Sequence, residues 1–257
     1  MQNIKNLWIQ GLIMAIERFE LELISSKMVT KGTIELTLKR TDDVVFNFEA
    51  GQFITFLFDH EDGKIRRRSY SIASMVTGSK YVEITASYVK NGIATEHLFN
   101  MKPGNKYSAM GPAGKLILKD DSIKRLVLIG TGTGIAPYRA MLPLLKKKAQ
   151  QENLNIDILL GVQYREDALY VADFLEYSKK VPSLHFHNCL SRETSELKAH
   201  EHQGYVQNQF GNLNLDPEND IIYLCGNPNM IDDAYAKLAD LGFSTKSIRR
   251  EKYISSN

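Results

Sequence analysis

The chain has 257 residues, enough for two domains of ordinary size. Its 43% apolar and 24% charged content is that of a globular protein, and a formal net charge of +2 gives no general case for binding nucleic acid or a membrane. Two cysteines, Cys189 and Cys225, lie far apart and in no CxxC pattern. That excludes a disulfide scaffold and a cysteine-ligated iron–sulfur cluster within this chain, and it makes a reducing cytoplasmic compartment the expectation.

In chain order, Leu7–Ile16 is apolar but is interrupted by Gln10 and runs into Glu17 and Arg18 without a small-x-small cleavage site. It also falls short of the ~20 residues a membrane helix needs, so neither export nor anchoring is expected. Met14 directly precedes the first strand-like segment, and residues 1–13 read as a short arm or an upstream mis-start. Phe19–Ile24, Thr33–Lys39, Gln52–Phe58 and Tyr81–Tyr88 then alternate apolar and polar residues with the period of half-buried strands. Lys31-Gly32, Asp62-Gly63, Asn91-Gly92, Pro103-Gly104 and Gly111-Pro112 mark turns between them, and one short helix is predicted over Thr95–Met101. Many short strands at this spacing indicate an antiparallel barrel or sandwich.

Past about residue 122 the rhythm changes. Arg125–Ile129 is an apolar strand entering the glycine-rich Gly130–Gly134, then a helix expected to end near Lys146–Lys148. Further strands are predicted at Ile156–Gly161, Ser183–Leu190 and Ile221–Cys225, with helices around Ala172–Lys179 and Met230–Leu241. Apolar strands alternating with helices mean a parallel sheet covered on both faces. The boundary between the halves falls near Lys119–Ser122.

Four stretches carry chemistry. "RRRSYSIAS" (66–74) sets three arginines on a short alternating segment in a nearly neutral chain, so an anion is expected beside them. "IGTGTGIAP" (129–137) follows a strand and opens a helix, which places bare N–H groups where a phosphate is well held. Its spacing is neither GxGxxG nor a P-loop, and a plain strand-to-helix turn would also use glycine here. "YLCGNPNM" (223–230) and "CLSRE" (189–193) also end strands, at the edge where open α/β sheets bind ligands. Cys225 is either a small buried hydrophobe or a group at the strand mouth. Ser191 and Arg192 could hold a phosphomonoester, arginine doing so bidentately, or form a solvated loop.

Together "RSYS" (68–71), "VKNGIATEHL" (89–98), "GPAGKLIL" (111–118), "GTGTGIAP" (130–137), "SRE" (191–193), "CGNPNM" (225–230) and "EKY" (251–253) resemble the ferredoxin–NADP reductase family. The match runs in order over residues 17–253, and 89–98 is most similar to the bacterial ferredoxin/flavodoxin reductases. The resemblance implies a six-stranded antiparallel flavin barrel followed by a parallel-sheet α/β domain for NADP. The domains are then residues 1–16 as an extension, 17–120 as the FAD-binding barrel and 121–257 as the NADP-binding unit. By the same resemblance Arg68 would hold the FAD pyrophosphate, Tyr70 would lie against the isoalloxazine and ribityl chain, and Ser71 would bond near flavin N5. Thr95 would add a hydroxyl and a helix start at the pyrophosphate, with Ser69, Gly92 and Ala94 beside it. Gly132 and Thr133 would cradle the NADP pyrophosphate. Ser191, Arg192 and Tyr205 would take the adenosine end; Arg165, outside the matched motifs, either supplements Arg192 or lies in a solvent-exposed loop. Cys225 and Gly226 would sit at nicotinamide C4, Glu251 near the flavin as a charge or proton relay, and Tyr253 on the flavin face. Ser71, Cys225, Glu251 and Tyr253 are thus the expected catalytic set. Tyr70 is set opposite Arg68 by the alternation, so a twist or bulge is expected if one flavin uses both and Ser71.

Two departures stand out: Ile254–Asn257 continue beyond Tyr253, and Tyr205 replaces the basic residue that many bacterial members carry. The implied function is hydride transfer from NADPH to FAD and single-electron transfer to ferredoxin or flavodoxin, by a monomer. A reductase component of an oxygenase, a free-flavin reductase and a non-catalytic flavin subunit are the alternatives. Arg66 and Arg67 would form a docking patch for an acidic carrier. No metal site is expected, although His185, His187 and Cys189 alternate on one strand face with His200 and His202 downstream.

Overall fold

The computed structural model describes residues 17–119 and 123–253. Alternation builds the first half. Strands β1 (Glu17–Thr30), β2 (Thr33–Arg40), β3 (Phe53–Asp59), β4 (Ile65–Ser71), β5 (Tyr81–Ser87) and β6 (Lys106–Ala113) form one antiparallel sheet in the order β4-β3-β6-β1-β2-β5. An Ile72–Ile84 bridge joins the two ends of that order. Every second residue points inward: Leu21 and Leu23, Ile34, Leu36 and Leu38, Ile54, Phe56 and Phe58, Val82 and Ile84 make one core. Helix α1 (Ile93–Asn100) lies between β5 and β6 in sequence and adds Ala94 and Leu98 to this core.

The second half is doubly wound. Strands β7 (Arg125–Thr131), β8 (Asn155–Val162), β9 (Leu184–Leu190), β10 (Glu201–Gln203), β11 (Asp220–Gly226) and β12 (Ile248–Lys252) are parallel, in the order β10-β9-β8-β7-β11-β12. Helices α2 (Ala136–Glu152) and α3 (Val171–Lys180) cover one face through Tyr138, Met141, Leu142, Leu145 and Phe174. The short α4 (Phe210–Leu213) and α5 (Pro228–Asp240) cover the other through Phe210, Ile231, Ala234 and Leu238. Strand order reverses between β7 and β11, and a crevice forms outside the carboxyl ends of such a pair.

The sequence expectations need four corrections. The short helix starts at Ile93, two residues before Thr95. Lys146–Lys148 do not end their helix: α2 runs another turn to Glu152, paired with Lys148 at 3.2 Å, and stops at Asn153 in the left-handed conformation. Strands β6, β10 and β12 had no clear periodic signal. Most important, β4 carries no bulge. It pairs with β3 in unbroken register from Ile65↔Asp59 to Ser71↔Phe53. Arg66, Arg68 and Tyr70 therefore share the face of Phe58, Phe56 and Ile54, while Arg67, Ser69 and Ser71 share the other. Tyr70 lies on the same side as Arg68, not opposite it as expected, because residues two apart on an unbroken strand leave the same face. The readings of Leu7–Ile16, of Ile254–Asn257 and of the junction at 120–122 lie outside the described residues.

The glycines after β7 have separate jobs. A Cβ on Gly134 would lie 2.3 Å from the Cys225 carbonyl oxygen, so this glycine lets the turn press against the end of β11. Gly134→Ala should lower stability by about 1–3 kcal/mol through overpacking. Gly211→Ala, in α4 with nothing within 4 Å of the new methyl, should leave it unchanged or slightly raised. Urea midpoints of the two variants measure both effects; equal midpoints would refute the close-packing role.

Candidate active site between the two sheets

A cleft of about 440 Å³ runs along the seam of the two halves, within the range of ligand pockets. The barrel contributes Arg67, Arg68, Ser69, Tyr70 and Ser71 from β4, Thr85 and Ser87 from β5, and Gly92–Thr95 at the start of α1. The α/β half contributes Thr133, Ala136, Glu251, Lys252 and Tyr253. Since β4 is pleated without interruption, Arg68 and Tyr70 face the barrel mouth beside α1. Ser71 leaves the opposite face and meets the second half.

Three features of the barrel wall suit a large anionic ligand. No side chain caps the first turn of α1, whose leading N–H groups open toward the cleft. Thr95 is 4% exposed and its hydroxyl accepts from Val89 N at 3.2 Å, which leaves its own proton to donate. Thr85 Oγ1 is buried in the cleft wall without any hydrogen-bond partner. An orphaned hydroxyl beside an uncapped helix start and the Arg68 guanidinium is the donor set that a pyrophosphate-bearing flavin needs. The residues present fit FAD. Gly92 is confined, since a Cβ there would meet Val89 O at 3.0 Å and Thr95 Oγ1 at 3.1 Å. Tyr70 packs edge-on against Phe56, and burial pushes its phenol up to about 12.

The opposite wall is one hydrogen-bonded cluster. Ser71 Oγ lies 2.5 Å from Tyr253 Oη. Tyr253 follows β12, held by its N–H to the Gly226 carbonyl at 2.8 Å. Cys225 pairs across the sheet with Glu251, is fully buried and shares a hydrogen bond with Tyr253. Burial pushes its thiol up, and the facing Glu251 carboxylate adds to the effect. Burial also pushes Glu251 up to about 7, against the opposing pull of a hydrogen bond from Ser71. Ser71, Cys225, Glu251 and Tyr253 thus meet at one place, with Cys225 set back from the cleft lining.

Ser191, Arg192 and Tyr205 do not line this cleft; they stand at the same strand edge, just past β9 and β10. Backbone bonds to the end of β8 fix the loop, Ser191 N to Val162 O at 3.0 Å and Arg192 N to Gln163 O at 2.9 Å. The Arg192 side chain is exposed, and Tyr205 is 67% exposed. Arg165 is spent elsewhere: its Nε and Nη2 grip Glu201 at 2.7 and 2.6 Å, Nη2 also reaches Glu196 O and Nη1 reaches Ser195 Oγ, both at 2.8 Å. That pairing holds the Glu201 carboxyl down at about 2. Of the loop glycines only Gly132, with φ 53 and nothing within 4 Å, presents open backbone; Gly226 packs tightly on Thr131. The histidine stretch has a structural arrangement: His187 bridges Asp157 at 2.9 Å and His202 at 3.1 Å, and Cys189 is buried in the core. Among the described residues no group of three potential ligands is placed to hold a metal, and no helix is long and apolar enough to cross a membrane.

Sequence reasoning missed Thr85, Ser87 and Ala136 as cleft residues. Thr85 and Ser87 sat on the polar side of an alternating strand, with no sign that the second half covers it.

Family comparison agrees with this division of labour. A family model described as an oxidoreductase FAD-binding domain matches residues 20–117, and one described as an oxidoreductase NAD-binding domain matches residues 128–236. The protein is therefore an oxidoreductase with one FAD-binding and one NAD-binding domain. Ferredoxin–NADP reductase B of Sorangium cellulosum is 28% identical over 246 residues, covering 92% of this chain and 98% of that protein. The toluate 1,2-dioxygenase electron transfer component of Pseudomonas putida is 24% identical, over 93% of this chain and 68% of that protein. In fold, the chain is similar to a ferredoxin–NADP+ reductase from Neisseria gonorrhoeae solved with bound FAD and NADP (TM-score 0.78, 22% identity, 92% of this chain and 99% of that one). The chain belongs to the ferredoxin–NADP reductase family.

Glu251 gives the cluster a pH signature. Its folded value near 7 lies above the ordinary 4.5, so the native state keeps a proton that the unfolded chain has released between those values. The associated stability is fully present below about pH 4.5 and is lost as pH rises through 7, on the order of 2–3 kcal/mol. Urea unfolding at pH 5 and pH 8 should show this loss in the wild type and its absence in Glu251→Gln. Parallel pH profiles for the two would refute it.

Proposed function

We propose that this protein is an FAD enzyme that takes a hydride from NADPH and passes electrons one at a time to ferredoxin or flavodoxin. The observation that carries the reading is the cluster in which Ser71 of the barrel meets Glu251 and Tyr253 of the α/β half at the cleft wall. Bound in the cleft, FAD would supply the hydride-accepting ring and the conversion between two-electron and one-electron transfer.

The chain's own residues orient and gate. Arg68, Thr95 and the N–H groups at Ala94 and Thr95 bind the pyrophosphate, with Ser69 and Gly92 beside them, the Gly92 N–H being held by the Val89 carbonyl at 2.9 Å; Tyr70 sets the edge of the ring site. Ser71 anchors the Tyr253 phenol, so that the aromatic ring covers the face the nicotinamide must occupy. Glu251, titrating near neutrality, holds or releases a proton at its carboxyl oxygen beside Ser71. Gly132 and Thr133 receive the nucleotide pyrophosphate. Ser191 and Arg192 receive a 2′-phosphate, and Tyr205 stacks on adenine. Residues 17–120 are then the FAD unit and 121–257 the NADP unit, in a cytoplasmic protein. For an acidic carrier the docking contact falls to Arg67, exposed at the cleft mouth, since Arg66 is paired with Asp62 at 2.7 Å. The likeness to a toluate dioxygenase electron transfer component supports a second reading, a reductase serving an oxygenase.

Anaerobic stopped-flow tests these readings. NADPH should bleach the flavin absorbance faster than NADH, and ferredoxin or flavodoxin should restore it. No reduction by NADPH would overturn the assignment, while reduction with no transfer to either carrier would favour the oxygenase reading. Arg192→Ala should raise the KM for NADPH about tenfold or more, as expected for a lost charged hydrogen bond, and leave that for NADH unchanged. Tyr253→Ala should tighten oxidised NADP and narrow the preference over NAD, each by about tenfold. Unchanged binding of oxidised NADP in that variant would count against the gate.

A further inference from the structure

Helix α2 begins at the cleft with Ala136, and one turn later Arg139 enters the seam between the halves. Its guanidinium is spread over both. On its own side Nε bonds Asp173 Oδ2 of α3 at 2.6 Å, and Cζ lies 4.3 Å from the centroid of the Tyr170 ring. On the barrel side Nη1 donates to the Ala73 carbonyl at 2.9 Å and to Glu83 Oε2 at 2.7 Å. Tyr170, held at φ 58, sends its hydroxyl across to Glu35 Oε2 at 2.7 Å, and Lys27 bonds the other Glu35 oxygen at 2.7 Å. The Arg139 side chain is only 12% exposed and Glu35 3%.

The barrel partners are continuous with the flavin segment. Ala73 is two residues past Ser71; its N–H bonds the Glu83 carbonyl at 2.8 Å, and Glu83 N–H bonds Ser74 Oγ at 2.6 Å. One guanidinium therefore ties the helix that starts at the nucleotide loop to the strand end that carries Arg68, Tyr70 and Ser71. Burying this many charges is a poor way to gain stability, because desolvation consumes most of the attraction. Its yield is direction: a planar fork with fixed donors accepts one arrangement of carboxylate, carbonyl and ring.

We infer that Arg139 is a positioning residue for hydride transfer, setting the separation of the nucleotide loop and the flavin segment. The inference rests on the functional reading above. A displacement of 1 Å between reacting groups costs about a hundredfold in rate, so a small relaxation of this seam is readable.

The test uses the full chain loaded with FAD. Arg139→Ala should retain flavin, bind oxidised NADP within about threefold of the parent, and be reduced by saturating NADPH about 10- to 100-fold more slowly. Arg139→Lys should not recover the rate, because one ammonium cannot replace the fork. Independently of turnover, spin labels at Glu61→Cys on the barrel and Lys179→Cys on α3, both exposed, report the separation of the halves by electron–electron resonance. Cys189 and Cys225 are buried and stay unlabelled. The distance distribution should broaden or shift in Arg139→Ala. A distribution matching the parent's overturns the inference whatever the rate, and so does an unchanged rate constant in an enzyme that NADPH reduces. Should the parent not be reduced by NADPH, the functional reading fails, and the inferred role in hydride transfer falls with it even if the labels report a change in domain geometry. Should Arg139→Ala not accumulate folded, Glu83→Gln is read by the same two measurements, with a smaller rate loss expected.

Discussion

Successive side chains of a strand leave opposite faces, and seven residues of β4 use that constraint to join two domains. Arg68 and Tyr70 go to the barrel mouth, where α1 begins uncapped; Ser71 goes to the other face, where Tyr253 and Glu251 wait. A bulge would have put two consecutive residues against one partner and turned Ser71 out of reach. The unbroken pairing with β3, reinforced by Thr55 and Ser69 hydroxyls 2.9 Å apart, keeps the assignment of faces fixed. The same alternation separates the three arginines. Arg67 takes one face, Arg66 and Arg68 the other, and Asp62 draws Arg66 back along the hairpin.

Where the halves meet, low dielectric sets the chemistry. Glu251, Cys225 and Tyr253 are all pushed toward their neutral forms, chiefly by burial. Only Glu251 is pushed to a value near neutrality, so it is the group of the three suited to exchange a proton under ordinary conditions. Cys225 is the reverse case: a thiol raised by burial makes a poor nucleophile.

The fold was largely legible because both halves obey simple periods. Alternation in β2 and β5 and continuous apolar runs in β7, β8 and β11 left little choice of architecture. What could not be read was the covering of one half by the other. Glu35, Glu83 and Thr85 occupy the polar side of well-patterned strands, where solvent is the natural expectation, yet Glu35 and Thr85 are each 3% exposed. No local signal distinguishes a polar face that meets water from one that meets a second domain. β6 and β12 were invisible for a related reason: their partners, not their own sequences, impose the extended form. Of the proposed site residues, Ser71, Glu251 and Tyr253 converge in space although nothing in periodicity links positions 71 and 253; that link came from the resemblance.

Phosphate recognition shows how packing decides between chemically equal candidates. Arg165 and Arg192 both stand near the ends of strands at the nucleotide edge, and each could bind a phosphate by charge alone. Arg165, however, has its donors committed to Glu201, Ser195 and Glu196, and removing it would strand a buried carboxylate. Its neighbour Glu193 is likewise satisfied, first by the N–H of Ser195 and then by that of Arg165, which holds its carboxyl at about 2. The loop is thus self-contained, and its internal charges cancel close to their own partners. Arg192 is the side chain that this arrangement leaves in solvent, with Ser191 beside it and Tyr205 exposed at the neighbouring strand end. With its backbone held and no side-chain partner among the described residues, Arg192 keeps its full fork for an incoming phosphate, which is why the proposed 2′-phosphate contact is assigned to Arg192 rather than to Arg165.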